Sequence, residues 1–225
     1  MVATTVHLMR HGEVHNPAGV LYGRLPGYHL SERGVAMAQR VAGYLAGETG
    51  PEPDAPQRER SDVVDVVASP MERAQETAAP VAAAFGVTVR TDDRLLEAEN
   101  RFEGLTFGVG AGSLRRPEHW PLLLNPLRPS WGEPYRWQVR RMLAVVDAAR
   151  AAARGHEIVL VSHQLPIWVT RLALSGERLW HDPRRRQCSL ASLTSLRYSD
   201  DRLVGLHYTE PAAALLPAAN QVPGA

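Results

Sequence analysis

The stretch Thr4-Thr5-Val6-His7-Leu8-Met9-Arg10-His11-Gly12-Glu13 decides the fold. Val6 and Leu8 alternate with polar neighbours and Met9 closes an apolar run, so residues 4–9 read as a buried strand. Arg10 and His11 follow at its carboxyl end, and the chain turns on Gly12. In open α/β sheets ligands bind outside that edge. Arginine beside histidine suits phosphoryl chemistry there. The guanidinium is always charged and grips phosphate oxygens in pairs, and a neutral imidazole can attack phosphorus. On the dipeptide alone, a surface Arg-His pair accounts for the sequence as well.

Two further strand ends change that balance. Glu157-Ile158-Val159-Leu160-Val161 is a continuous apolar run of the parallel-sheet type, and it ends in Ser162-His163-Gln164 before a helix over 166–174. Val63–Ala68 is another strand, ending in Ser69-Pro70 before a helix that opens at Met71. Arg73 falls in the first turn of that helix, where backbone donors and the dipole favour an anion. Two parallel strands thus each deliver a histidine to one sheet edge, and a third delivers Ser69 and Arg73. Around them the pattern predicts a helix capped by Ser31 with the stripe Val35, Ala38, Val41, Ala42 and Leu45. It also predicts a short strand at 88–90 and a helix over 137–153. Two last strands at 191–198 and 202–208, joined at Asp200-Asp201, read as an antiparallel edge hairpin.

The connecting segments are less decisive. The Gly- and Pro-rich loop 14–28 carries His15, Asn16, Tyr22 and Arg24. His11, Glu13 and His15 invite a metal reading, but Gly12 and Pro17 argue against the helix that would put the histidines on one face, so no metal is expected. Glu97, Glu99 and Glu103 crowd seven residues, and spacing alone does not choose a general acid among them. The Pro- and Trp-rich segment at about 105–137 suits a lid over the strand ends and suits a packed structural excursion equally. Asp182-Pro183-Arg184-Arg185-Arg186 is a basic cluster that reads as a solvated turn and could instead help hold an anionic substrate. Residues 209–225 are rich in Ala and Pro and are expected to be disordered, leaving one domain over 1–208.

Composition narrows the function classes. Of 225 residues, 44% are hydrophobic and 22% charged, ordinary for a soluble globular protein. A net charge of +1 gives no global push towards nucleic acid or a membrane surface. No apolar run is long enough to span a bilayer, and residues 1–9 lack the form of a signal peptide. Cys188 is the single cysteine, which excludes an internal disulfide and fits a reducing, cytoplasmic setting; its thiol reads as inert.

With these residues assembled, the chain resembles the histidine phosphatase superfamily, the phosphoglycerate-mutase-like proteins, from about Val6 to Tyr208. The segments that carry the resemblance are Leu8–Glu13, Leu30-Ser31-Glu32-Arg33-Gly34, Ser69-Pro70-Met71-Glu72-Arg73-Ala74-Gln75-Glu76-Thr77-Ala78, and Val161-Ser162-His163. It implies a three-layer α/β/α sandwich with a mostly parallel central sheet and an antiparallel edge strand. It implies His11 as a nucleophile that becomes a phosphohistidine, and Arg10, Arg73 and His163 as the phosphate pocket, with Asn16 and Gln164 beside them. Glu97 stands in the family's Leu-x-Glu position as proton donor, Phe102-Glu103-Gly104 matches the segment after it, Glu99 is the backup acid, and Glu103 is structural. Tyr22, Arg24 and Arg184 are the candidate substrate contacts.

The expected activity is metal- and cofactor-independent hydrolysis of a small phosphorylated metabolite. Tyr22-Gly23 stands where the family's mutases place Thr-Gly or Ser-Gly, and their Glu-x-x-Tyr-Gly segment is altered, which favours phosphatase over mutase. A phosphomutase and a non-catalytic phospho-ligand-binding protein of the same fold remain the alternatives.

Overall fold

A computed structural model describes residues 1–48, 59–106 and 132–218. Its centre is a six-stranded sheet in the order β3-β2-β4-β1-β5-β6. The strands are β1 (Ala3–Arg10), β2 (Val63–Ala68), β3 (Val89–Thr91), β4 (Glu157–Ser162), β5 (Leu193–Ser199) and β6 (Arg202–Thr209). β1, β2, β3 and β4 are mutually parallel, with β1 against β4 over Thr5↔Glu157 to Arg10↔Ser162. β5 runs antiparallel to β1, and β6 reverses again at the edge. The expected hairpin is therefore present, but its reversed strand lies one place in from the edge. Its turn is made by Asp200 at φ 52° followed by Asp201.

Among the described residues four α-helices cover the two faces. α1 (Glu32–Leu45) and α2 (Glu72–Phe85) pack Met37, Val41, Leu45, Ala78 and Val81 against Met9, Val66, Val159 and Val161. α3 (Tyr135–Ala152) and α4 (Gln164–Leu174) pack Met142, Val146 and Ile167 on the other face, against Val6, Leu8, Ile158 and Leu160. Alternation along β1 sends its odd and even residues to opposite layers, as the pleat requires. Ile158, Val159, Leu160 and Val161 are all wholly buried. At about 1.5–3 kcal/mol for each buried side chain, β4 and its neighbour β1 form the firmest part of the molecule, and both site histidines follow directly from them.

Helix bounds differ modestly from the sequence reading. α3 begins two residues early because Pro134 serves as its N-cap residue, where a missing N–H costs nothing. The disordered-tail expectation needs correcting over residues 211–218. Ala213–Ala218 form 3-10 turns, Ala212 is buried, and Leu215 and Leu216 pack on the α1/α2 layer. Tertiary packing orders a segment whose Ala/Pro composition alone suggested none. Most of the Pro- and Trp-rich segment, with Trp120 and Trp131, lies outside the described residues. Among the described residues no helix is long and apolar enough to cross a membrane.

Candidate active site

The carboxyl ends of β1, β4 and β2 converge. The His11 and His163 rings stand 5.2 Å apart between centroids, at an interplanar angle of 61°. The backbone holds His11 from both sides: its N–H donates to Ser162 O at 3.1 Å, and its carbonyl accepts from Ala191 N at 3.2 Å. Its Nδ1 lies 2.8 Å from the Gly12 carbonyl. A carbonyl only accepts, so Nδ1 carries the hydrogen and the lone pair is on Nε2. That Nε2 is buried and, among the described residues, has no hydrogen-bond partner. Burial, then the charges of Arg73 and Arg10, hold the His11 pKa well below its ordinary value. The ring is a neutral base with one unused lone pair.

His163 caps α4 and is wholly buried. Its Nδ1 accepts from Arg73 Nη2 at 3.3 Å, which puts its hydrogen on Nε2, 2.9 Å from Ser69 Oγ. Burial and the Arg73 charge keep this ring neutral too. Arg73 comes from the first turn of α2 and is wholly buried, with its guanidinium 4.8 Å over the Tyr22 ring and Nη2 also donating to Gly23 O. Among the described residues its Nε and Nη1 have no partner. Arg10 Nη1 donates to the Cys188 carbonyl at 2.7 Å.

Close backbone packing fixes the turn that presents His11. A Cβ on Gly12 would fall 2.6 Å from Gly34 O, and one on Gly34 would fall 2.0 Å from Glu13 O. The first turn of α1 therefore lies directly on the turn after β1. Ser31 Oγ accepts from Gly34 N at 3.0 Å as an N-cap, and it donates to the buried Glu13 carboxylate. Arg33 donates to the same carboxylate. On the other side, Gly12 N donates to Thr77 Oγ1 at 3.0 Å, tying in α2. Glu13 is thus engaged with α1, and His15 is exposed. Among the described residues no group of three His, Cys, Asp or Glu is arranged to hold a metal ion.

Of the three clustered glutamates, the structure buries Glu97. Its side chain is 5% exposed, with Oε1 accepting from Ala98 N at 2.8 Å. Burial raises its pKa, against the opposing charges of Arg73, Arg10 and Arg141. Glu99 is mostly exposed and pairs with Arg24. Glu103 Oε1 accepts from Arg24 N at 2.9 Å and braces Gly23.

Several candidate contacts have other occupations. Arg24, expected at the substrate, uses Nε on the Glu97 carbonyl at 2.7 Å and its Nη atoms on Glu99 and Glu133. It holds the Glu97 segment in place. Asn16, expected on phosphate, exchanges both side-chain hydrogen bonds with the Val20 backbone and closes its own loop. Gln164 lies within 3.5 Å of the Cys188 carbonyl and accepts from Arg186. Tyr22 does sit beside the site, 6.3 Å from the His11 ring. Arg184 is exposed and folds back on Asp182. The Cys188 thiol is buried and its pKa is pushed up to about 11, so it stays protonated and inert.

One group escaped the sequence reading. Arg141 of α3 forks onto Glu133 at 2.9 and 3.0 Å and also donates to Arg94 O, buttressing the loop before Glu97. Arg186 belonged to the basic run read as a possible anion contact but was not singled out within it. The Asp-Pro start offered a clue, since an aspartate there caps the second residue on and so occupies Arg184.

The chain matches the Histidine phosphatase superfamily (branch 1) over residues 6–210. Uncharacterized protein Rv0525 of Mycobacterium tuberculosis is 55% identical over 210 residues, covering 93% of this chain and 98% of its own. The solved phosphoserine phosphatase of Entamoeba histolytica is similar with a TM-score of 0.69 at 19% identity, over 93% of this chain and 99% of that one. Mycobacterial glucosyl-3-phosphoglycerate phosphatase Rv2419c gives 0.65 at 22% identity, over 92% and 96%. At such identities the solved structures speak for the fold. The family match across nearly the whole described chain goes further: this protein belongs to the histidine phosphatase superfamily.

Proposed function

We propose that the chain is a metal-independent phosphomonoesterase working through a phosphohistidine on His11. One observation carries the reading. A buried imidazole is held as the Nδ1–H tautomer, and its Nε2, unpartnered among the described residues, shares the site with two likewise unpartnered nitrogens of Arg73. That combination supplies a nucleophile and a cradle for the phosphate oxygens.

In the first step the Nε2 lone pair forms a bond to phosphorus and the ester P–O bond breaks. The Glu97 carboxyl gives its proton to the departing oxygen, releasing an alcohol. In the second step water attacks phosphorus, its proton goes to the Glu97 carboxylate, and the P–N bond breaks to release inorganic phosphate. Phosphoryl transfer depends on positioning and charge stabilisation more than on covalent machinery. Arg10 and Arg73 supply positive charge, each contact worth up to about 4 kcal/mol at 4 Å in an effective dielectric near 20. His163, held between Ser69 and Arg73, completes the cradle.

The test is a panel of phosphomonoesters, with and without a chelator, on wild type and His11→Ala, with products identified. Inorganic phosphate released in both media and lost in His11→Ala is the expected result. An isomerised ester would make the chain a mutase, and binding without turnover a phospho-ligand receptor; either result defeats the reading.

A further inference from the structure

A second group of chemically capable side chains lies on the α1/α2 face of the sheet, back from the phosphate cradle. The odd residues of β1 face that layer, so His7 stands there four residues before His11. At about 3.3 Å per residue that is roughly 13 Å along the strand, and the wholly buried Met9 lies between the two. His7 Nε2 lies 2.7 Å from Glu157 Oε2 of β4, and its Nδ1 lies 2.7 Å from Ser195 Oγ of β5. Register explains the meeting. His7 pairs with Ser195 across β1 and β5, and Glu157 stands opposite Thr5, two residues back. A carboxylate only accepts, so the neutral ring carries its hydrogen on Nε2 and its lone pair on Nδ1. Ser195 therefore donates its hydroxyl hydrogen to His7. A hydroxyl, a base placed to take its proton and a carboxylate that orients the base form one unbroken chain.

The hydroxyl is within reach of a ligand. Ser195 is half-buried and, with His7 and Glu157, lines a cavity of about 540 Å³, within the range of small-molecule sites. Arg197 lines it too, two residues along β5 on the same face. His207 stands directly across from Ser195 on β6, a pairing that brings Cβ atoms about 4.5–5.5 Å apart. Among the described residues neither the Arg197 nor the His207 side chain has a hydrogen bond or ion pair. Both are therefore available as donors to an oxyanion formed beside Ser195. The wall at Glu59, Arg60 and Ser61 is polar. The Ser61 hydroxyl is buried and, among the described residues, unpartnered.

We propose that Ser195 is a second nucleophile, which takes the acyl group of small polar carboxylic esters. Ser195 Oγ forms a bond to the acyl carbon as its proton passes to His7 Nδ1. The ester C–O bond breaks, and the alcohol leaves with that proton. Water then attacks the acyl carbon and gives a proton to His7 Nδ1. The bond to Ser195 breaks, the acid departs, and the proton returns to Oγ. Glu157 keeps the ring oriented and offsets its transient positive charge. The polar wall favours a short or polar acyl group over a long alkyl chain.

The test uses His11→Ala as the parent protein, so that the phosphate site contributes nothing. The chain has no lysine, which removes a common competing acyl acceptor. A fluorophosphonate probe, losing fluoride as it bonds to Oγ, should give one adduct in the folded protein and none in urea. Tandem mass spectrometry should place that adduct on Ser195. p-Nitrophenyl acetate should be hydrolysed, and Ser195→Ala and His7→Gln should each lower the rate by about a hundredfold or more, the scale of a lost general base. p-Nitrophenyl octanoate should react more slowly than the acetate; the reverse order overturns the substrate class. No adduct on Ser195, equal labelling of folded and unfolded chains, or a rate unchanged in His7→Gln overturns the inference. The comparison of folded with unfolded parent decides alone if a variant does not fold. The outcome is independent of the phosphatase reading, which uses none of these residues.

Discussion

Replacing Glu97 with glutamine removes one transferable proton and little else. The side chain is buried, and the bond its Oε1 accepts from Ala98 N is one that an amide oxygen keeps. Burial raises the carboxyl pKa, so the acid form persists closer to neutrality than for an exposed glutamate. A general acid so placed contributes about 10²–10⁴ in rate, or about 3–5 kcal/mol of barrier. In the phosphorylation step that contribution appears only where the leaving oxygen needs the proton. Glu97→Gln should therefore cost ethyl phosphate the full factor. It should cost p-nitrophenyl phosphate less than about tenfold, because that phenolate is a stable leaving group. Steady-state kcat/KM on both esters, which reports only the steps up to the phosphoenzyme, reads the difference, with Glu99→Gln as the control, since that carboxylate is 70% exposed. The pH profile adds a sign: the protonated form is active in the first step, so wild-type kcat/KM on the alkyl ester should fall as pH rises through the raised Glu97 value. Glu97→Gln should flatten that limb. Equal losses on the two esters, or a greater loss in Glu99→Gln, would refute the assignment.

Other consequences follow from packing and charge. A Cβ at Gly34 meets the Glu13 carbonyl, backbone that cannot yield without moving the His11 turn, so Gly34→Ala should lose about 2 kcal/mol or more together with activity. Gly43 in the same helix meets only the carboxylate tip of Glu48, so Gly43→Ala should gain about 0.5–1 kcal/mol; thermal melts ranking the two the other way would contradict the packing argument. His11 and His163 bind protons less tightly folded than unfolded, so the unfolded chain gains more protons as pH falls. Stability should be intact above about pH 6.5 and decline below it, towards the lowered folded-state values. Urea midpoints across that window should fall less steeply for His163→Gln, and identical slopes would show that burial of this ring is not the cause.

What the sequence revealed depended on how local the signal was. Strand ends were legible: apolar runs closing on Arg10-His11 and Ser162-His163 place both rings at one edge, because parallel neighbours share a carboxyl end. Helix starts at Ser31 and after Pro70 were legible for the same reason, each being set by its own cap or proline. Glu97 could be picked from its neighbours only through resemblance, since burial is a property of the folded loop and not of spacing. Arg24 and Asn16 looked like substrate contacts because their residue types fit an anion. The structure commits both to nearby backbone and carboxylates, a choice that depends on loop geometry. Arg186 was hidden because three consecutive arginines look alike until a turn sends one inward. The tail was misjudged over 211–218 because Leu215 and Leu216 gain their order from α1 and α2, far away in the chain.

The Gly12 carbonyl decides which nitrogen of His11 can react, and that is open to direct measurement. A labelled phosphomonoester mixed briefly with the protein, quenched in alkali where phosphohistidine survives, gives an adduct whose position 31P NMR of the denatured chain can assign. Phosphate on Nε2 of His11 is the result expected. Phosphate on Nδ1, phosphate on another residue, or turnover with no adduct at any mixing time would contradict the mechanism.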